Sequence, residues 1–299
     1  MRETNQKNNL PKVIYIMGTA RSGSTILEIL LANGRYAFGA GELTHLIEDG
    51  FVNDKLCSCQ HYTSKCEIWS EVKKKIGLNS REFQNWVHLE KHIDWHDGFL
   101  RQLFGRVSQK DSQAYKELNQ RLLAVIQQIT ASNVVLDSSK YAGRAMALQQ
   151  IAEINISIIC LTRSPRGIMG SFQKPNKDEQ QTKSPLETLV YYLVTLASLR
   201  MACWLLGKRV FQLRYEDLLS NPKGTLESIE TWCGMDLTES KNRLIEQKAF
   251  DVGHLVTSNR LRKHGKVKFN SINNSEAVSS LSTKMIVTIM EFWRWILRY

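Results

Sequence analysis

The segment Gly18-Thr19-Ala20-Arg21-Ser22-Gly23-Ser24-Thr25 has the residue types and spacing of an anion-binding loop. Two glycines with four residues between them let the backbone wrap a tetrahedral anion, and a following helix adds its unpaired N–H groups. A nucleotide-hydrolysing P-loop places Lys directly after the second Gly, where it reaches the outer phosphates of a triphosphate. Ser24 stands there instead, which argues against ATP or GTP hydrolysis. Arg21 supplies a cation from inside the loop, as a planar fork suited to a tetrahedral anion. A second constellation is Leu161-Thr162-Arg163-Ser164-Pro165-Arg166, with Ser171 eight residues beyond Arg163. Arg163 follows an apolar run, at the place where strands of open α/β sheets present ligands. Pro165 suits the first turn of a helix that brings Ser171 about two turns along. An Arg at a strand end and a Ser on the next helix can meet one further anion.

A third group is Cys57-Ser58-Cys59-Gln60-His61 with Cys66. Three thiols and His61 have the chemistry of a Cys3His zinc site. The Cys-x-Cys spacing is tighter than the usual Cys-x-x-Cys, and no second pair follows. The expectation is therefore no metal, with the thiols packed under a loop or forming a redox-sensitive pair. Cys160, Cys203 and Cys233 are scattered in apolar surroundings and read as small core residues. The other histidines, His254 among them, show no metal-site spacing and read as surface or polar-core residues.

The elements that must position these groups follow from periodicity. Val13–Met17 is a short apolar run of the kind found in buried parallel strands, and Ile26, Leu27, Leu30 and Leu31 recur with helical spacing until Asn33-Gly34. Further strands are expected over 133–137, 156–161 and 210–213, with helices over 142–152 and 186–206 between them. This alternation predicts an α/β fold with a P-loop-like central parallel sheet flanked by helices. Residues 50–132 read as a largely helical insertion or cap, including a helix over 114–130. Residues 1–11 read as a disordered tail, 173–185 as a mobile loop over a ligand, and 12–299 as one domain. The last helix, 285–299, is amphipathic enough to raise peripheral membrane contact, with docking on the core the stronger expectation.

Composition narrows the classes. The chain has 299 residues, 42% hydrophobic and 23% charged, with 40 Lys+Arg against 29 Asp+Glu, a net charge of +11. This is a globular composition large enough for a core without disulfides. The positive excess points to anionic partners. Mean hydropathy is −0.30. With no stretch of roughly 18 apolar residues, no spanning helix is expected, and with no signal-peptide core near the N-terminus a cytoplasmic location is the default. Nucleic acid is not expected, because the basic run Arg260–Lys268 lacks interleaved aromatics and no reader motif is present.

Taken in order, these motifs resemble those of sulfotransferases that use 3′-phosphoadenosine-5′-phosphosulfate (PAPS), and are most similar to the bacterial members related to tyrosylprotein sulfotransferases. Arg21-Ser22-Gly23-Ser24-Thr25 is similar to the family's 5′-phosphosulfate loop, and Arg163 with Ser171 to its 3′-phosphate motif, with Ser164 where Asp is usual. Arg214-Tyr215-Glu216-Asp217-Leu218 resembles a segment that packs near the adenine, and Asp137-Ser138-Ser139-Lys140 one near the transferred group. Ser258-Asn259-Arg260-Leu261-Arg262 resembles a late element, with Ser258 in place of Gly. The resemblance covers most of residues 12–270.

The resemblance implies PAPS as donor and transfer of a sulfuryl group to an acceptor hydroxyl or amine, with no metal expected. It implies that Arg21 and Ser22–Thr25 hold the 5′ side, that Arg163 and Ser171 hold the 3′-phosphate near Tyr215, and that Arg260 and Arg262 close over it. Gly41-Glu42 occupies the place where tyrosylprotein enzymes carry their base, so Glu42 is the expected base and His45 the reserve. Lys140 is expected to stabilise charge on the bridging oxygen. The acceptor, a carbohydrate, lipid, small alcohol or peptide, is not encoded by fold or donor motifs. The rival reading is a P-loop nucleotide kinase-like phosphotransferase, which shares strand, loop and helix but would need the Lys that Ser24 replaces.

Overall fold

In a computed structural model, residues 10–173, 182–256, 265–269 and 280–297 are described. β1 (Lys12–Gly18) runs through the loop into α1 (Ser24–Ala32), then β2 (Ala37–Gly39) and the single turn α2 (Leu43–His45). The insertion follows as α3 (Glu67–Ile76), α4 (Ser80–Asp94), α5 (His96–Leu103) and α6 (Gln109–Thr130). The chain returns through β3 (Val134–Lys140), α7 (Ala142–Gln149), β4 (Ile156–Thr162), α8 (Pro165–Gln173), α9 (Pro185–Leu206) and β5 (Val210–Arg214). It continues with α10 (Tyr215–Ser220), α11 (Pro222–Cys233), α12 (Thr238–Ile245), the short antiparallel pair β6 (Phe250–Asp251) and β7 (Lys266–Val267), and α13 (Leu281–Ile296).

The five strands of the main sheet are all parallel, in the order β2-β3-β1-β4-β5. β1 is central and buried on both faces. Val13, Tyr15 and Met17 pack on one side with Trp69, Trp86, Phe83 and Tyr115 of the insertion. Ile14 and Ile16 pack on the other with α1, α11 and the 250–256 segment. A strand buried on both faces has no polar alternation, which is why β1 and β4 read as continuous apolar runs. β2 was not expected: three residues ending in Gly39 give no period to detect. The insertion is helical as expected and is part of the core, not a detached cap.

α9 departs from expectation. By length and composition it qualifies to cross a membrane. Thr188, Thr195, Ser198 and Arg200 interrupt its apolar run, so no unbroken stretch marks it in the sequence. It packs on α7 and α13, burying Tyr192, Leu196 and Leu199 while Leu186, Val190 and Trp204 stay exposed. The tail 1–9 and most of the 173–185 loop (174–181) lie outside the described residues, as do Arg260 and Arg262.

Candidate functional site

In a parallel sheet all strands end at one edge, and each strand of this sheet delivers a candidate residue there. Arg21 follows β1, Glu42 follows β2, Lys140 ends β3, Arg163 follows β4 and Tyr215 follows β5. The crossover reverses around β1, since β3 lies on one side of it and β4 on the other, so the crevice opens where the anion loop sits.

The loop takes its shape from backbone geometry. Gly23 has φ +93° and Arg21 φ +67°, the left-handed region that costs a non-Gly residue energy. A Cβ at Gly23 would collide with the Tyr215 ring, so both close packing and φ require Gly there. α1 begins at Ser24 with no side-chain cap and no acid in its first turn, which leaves its first N–H groups to a ligand. The Ser22 and Thr19 hydroxyls are buried with no hydrogen-bond partner among the described residues. The Ala20 N–H donates to the Tyr191 hydroxyl at 2.7 Å, tying the loop to α9.

Gly18, Arg21, Gly23, Ser24 and Thr25 line one wall of a cleft of about 200 Å³, and Glu42, Ser139 and Lys140 another. Glu42 makes an ion pair with Lys140, and its other oxygen lies 3.9 Å from His45 Nε2. Lys140 sits at φ +75°, so the strand turns sharply as it delivers the ammonium. Glu42 lines the cleft, whereas His45 does not reach its wall and instead meets the Tyr141 ring edge-on.

The Glu42 loop is held from behind. Glu28 of α1 accepts from the Gly41 N–H at 2.6 Å and from the Ser138 hydroxyl at 2.6 Å. Burial pushes the Glu28 carboxyl up to about 8, against the pull of those two donors. The Thr44 N–H donates to Ser139 Oγ at 3.0 Å and the Thr44 hydroxyl to Asp94 at 2.9 Å.

Arg163 and Tyr215 stand together beside the loop. The Arg163 guanidinium lies 4.6 Å from the Tyr215 ring centroid and donates to the Arg21 carbonyl at 3.0 Å. Burial works against its charge, and Tyr215 and Glu216 favour it. Glu216 accepts from the Ser164 N–H at 2.8 Å, fixing the turn from β4 into α8. Ser171 is half-buried in the last turn of α8. Arg163 and Tyr215 adjoin the loop, and neither they nor Ser171 lines the cleft around Glu42. The structure thus gives two neighbouring cationic places joined by the Arg163–Arg21 contact.

His96, Tyr141 and Tyr191 also line the cleft and were not expected there. His96 opens α5, so the insertion contributes to the site, and burial lowers its pKa. Its ring meets Tyr141 and Tyr191 at centroid distances of 5.4 and 6.3 Å. Tyr141 was detectable as the neighbour of Lys140; nothing local in the sequence marks His96.

Comparison with known proteins bears on this arrangement. A search of curated proteins finds no match. Among solved structures, the sulfotransferase domain from the curacin biosynthetic pathway is similar at 19% identity and TM-score 0.48, covering 95% of this chain and 98% of that one. The sulfotransferase domain of the Synechococcus olefin synthase is similar at 16% and 0.46, covering 97% and 98%. A Mycobacterium tuberculosis sulfotransferase is similar at 14% and 0.48, covering 86% and 77%. The family model described as the sulfotransferase family matches residues 11–239, taking in every strand of the main sheet and every described candidate residue. On that match, this chain belongs to the sulfotransferase family.

Proposed function

We propose that the chain transfers a sulfuryl group from PAPS to a hydroxyl or amine of a small-molecule, carbohydrate or lipid acceptor. The observation that carries this reading is the pair of adjoining cationic places at one sheet edge. One is built by the Arg21 loop and Lys140, the other by Arg163 with Tyr215. PAPS presents two anionic groups on one adenosine and supplies an activated sulfuryl group when bound. The buried Ser22 and Thr19 hydroxyls without partners, and the uncapped start of α1, suit an anion in the loop. Arg163 and Ser171 are assigned the 3′-phosphate, and Arg21 with Ser22–Thr25 the 5′ side.

As in phosphoryl transfer, the protein's contribution is positioning and charge stabilisation. Lys140 stabilises negative charge developing on the leaving oxygen. Glu42 takes the acceptor's proton on a carboxylate oxygen as the acceptor's oxygen or nitrogen bonds to sulfur. Before the donor binds, the Lys140–Glu42 ion pair neutralises both groups; an anion in the loop competes for Lys140 and frees Glu42. His96 and Tyr191, from the insertion and from α9, line the same cleft.

The test is donor discrimination by Arg163→Ala. Affinity for PAPS and for its desulfated 3′,5′-bisphosphate should fall about ten- to a hundredfold, the worth of a charge-assisted contact. Affinity for adenosine 5′-phosphosulfate, which lacks the 3′-phosphate, should hold. Equal losses for both ligands would remove the assignment, and tight ATP–magnesium binding by the wild type would favour a phosphotransferase.

A further inference from the structure

The thiols that the sequence left as a packed or redox-sensitive cluster meet a fourth ligand from far along the chain. Cys57, Cys59, Cys66 and His254 bring one ligand atom each within 4.8 Å of one another. Cys57 Sγ and Cys66 Sγ are 3.8 Å apart, and Cys66 Sγ is 3.3 Å from His254 Nδ1. Tetrahedral zinc with Zn–S near 2.3 Å and Zn–N near 2.0 Å requires about 3.8 Å between sulfurs and about 3.5 Å from sulfur to nitrogen. All three thiols are free.

We propose that Cys57, Cys59, Cys66 and His254 form a closed, structural zinc site. The expectation of no metal rested on the tight Cys-x-Cys spacing and the lack of a second pair, with His61 as the imidazole of the candidate set. In the structure His61 is exposed and its Nδ1 faces the Cys59 carbonyl at 3.1 Å, while His254 takes the fourth corner. The tight Cys-x-Cys spacing is accommodated by a turn. The Cys57 N–H donates to the His61 carbonyl at 2.8 Å, the Gln60 N–H donates to the Cys57 carbonyl at 2.9 Å, and Gln60 takes φ +67°.

The surroundings match the chemistry. His254 Nε2 lies 3.3 Å from Glu67 Oε1. An Nε2–H donated to Glu67 leaves the Nδ1 lone pair facing the sulfurs, the carboxylate–histidine arrangement that orients imidazole toward a metal. Cys66 is the N-cap of α3, where the helix dipole favours a thiolate. The histidine is held independently of any metal. Trp69 Nε1 donates to the His254 carbonyl at 2.5 Å, and Ser58 Oγ donates to the Gly253 carbonyl at 2.5 Å and accepts from the Leu255 N–H at 2.8 Å. Four ligands and no open corner indicate a structural role, not a catalytic one. On binding, zinc replaces the thiol protons, which leave to solvent, and links the 57–66 turn to the 250–256 segment.

The full chain, purified without a histidine tag from zinc-supplemented medium, tests this by elemental analysis. The wild type should retain about one zinc per chain through dialysis, and Cys59→Ser and His254→Ala should fall to below about 0.2. His61→Ala should keep its zinc. Cobalt exchanged for zinc should show tetrahedral ligand-field bands with thiolate charge transfer, weakened in Cys59→Ser. A wild type that takes up neither zinc nor cobalt while its thiols titrate as free would overturn the proposal. So would loss of metal in His61→Ala alongside retention in His254→Ala. Metal content is read without any sulfotransfer assay, so this result and the donor assignment stand or fall separately.

Discussion

Glu42 is flanked by two basic groups, and the geometry separates their roles. Lys140 shares the cleft with it, whereas His45 stands 3.9 Å behind its outer oxygen. A base must face the acceptor, and of Glu42 and His45 only Glu42 lines the wall. Glu42→Gln keeps size and hydrogen bonding but does not accept a proton as a carboxylate does. Turnover should therefore drop by about 10²–10⁴, the usual worth of a positioned base, while donor affinity measured by titration calorimetry holds. His45→Ala should cost far less. Unchanged turnover in Glu42→Gln beside collapse in His45→Ala would move the role to His45. Lys140→Met should lower turnover and also release Glu42 from its ion pair.

At the scale of elements, α1 does more than present N–H groups to the anion loop. Its Glu28 accepts from Gly41 and Ser138, so α1, the Glu42 loop and β3 are tied together. With its carboxyl raised from 4.5 to about 8 by burial, folded Glu28 keeps a proton that the unfolded chain gives up. Below about 4.5 both states are protonated. Between about 4.5 and 8 the unfolded state is favoured progressively, and above 8 the penalty is constant. Glu28→Gln imitates the protonated acid and has no such slope. The melting temperature of the wild type relative to Glu28→Gln should thus fall as pH rises through that window and then level off. A difference independent of pH would show that Glu28 folds ionised. The anion loop and the strand before it were legible in the sequence because their signals are consecutive residues. Lys140 and Glu42 were reached only through the family resemblance, since a Lys at a strand end and a Glu after three strand residues have no period. His254 was out of reach: 188 residues separate it from Cys66, and only the packing of the 250–256 segment on α3 joins them.

Across the whole molecule, the insertion and the sheet are joined by one buried guanidinium. Arg144 of α7, 1% exposed, donates to Asp137 of β3 at 2.7 Å, to Asp94 of α4 at 3.0 Å, and to Tyr115 and Asn119 of α6 at 3.1 Å each. Glu90 lies 3.7 Å from it, and burial holds the Glu90 carboxyl well above the usual range. Asp94 also holds the Thr44 hydroxyl, which carries this network to the loop of Glu42. Arg144→Met keeps the bulk but strands the Asp94 and Asp137 carboxylates without a cation. Removing one partner from a buried ion pair costs about 3–5 kcal/mol, a large part of the roughly 5–15 kcal/mol that holds a domain folded. The exposed pair Lys223–Glu227, at 3.7 Å across one helical turn, is the contrast. Lys223→Ala should shift the urea midpoint within error, because such surface pairs are worth about 0.3–0.5 kcal/mol. Tyr115→Phe, which removes one hydroxyl that donates to Asp94 and keeps the guanidinium, should fall between the two at about 1–3 kcal/mol and keeps the comparison readable if Arg144→Met does not fold. An Arg144→Met chain as stable as wild type would mean that the carboxylates around it fold protonated, and that the hold of the insertion on the sheet does not depend on this guanidinium.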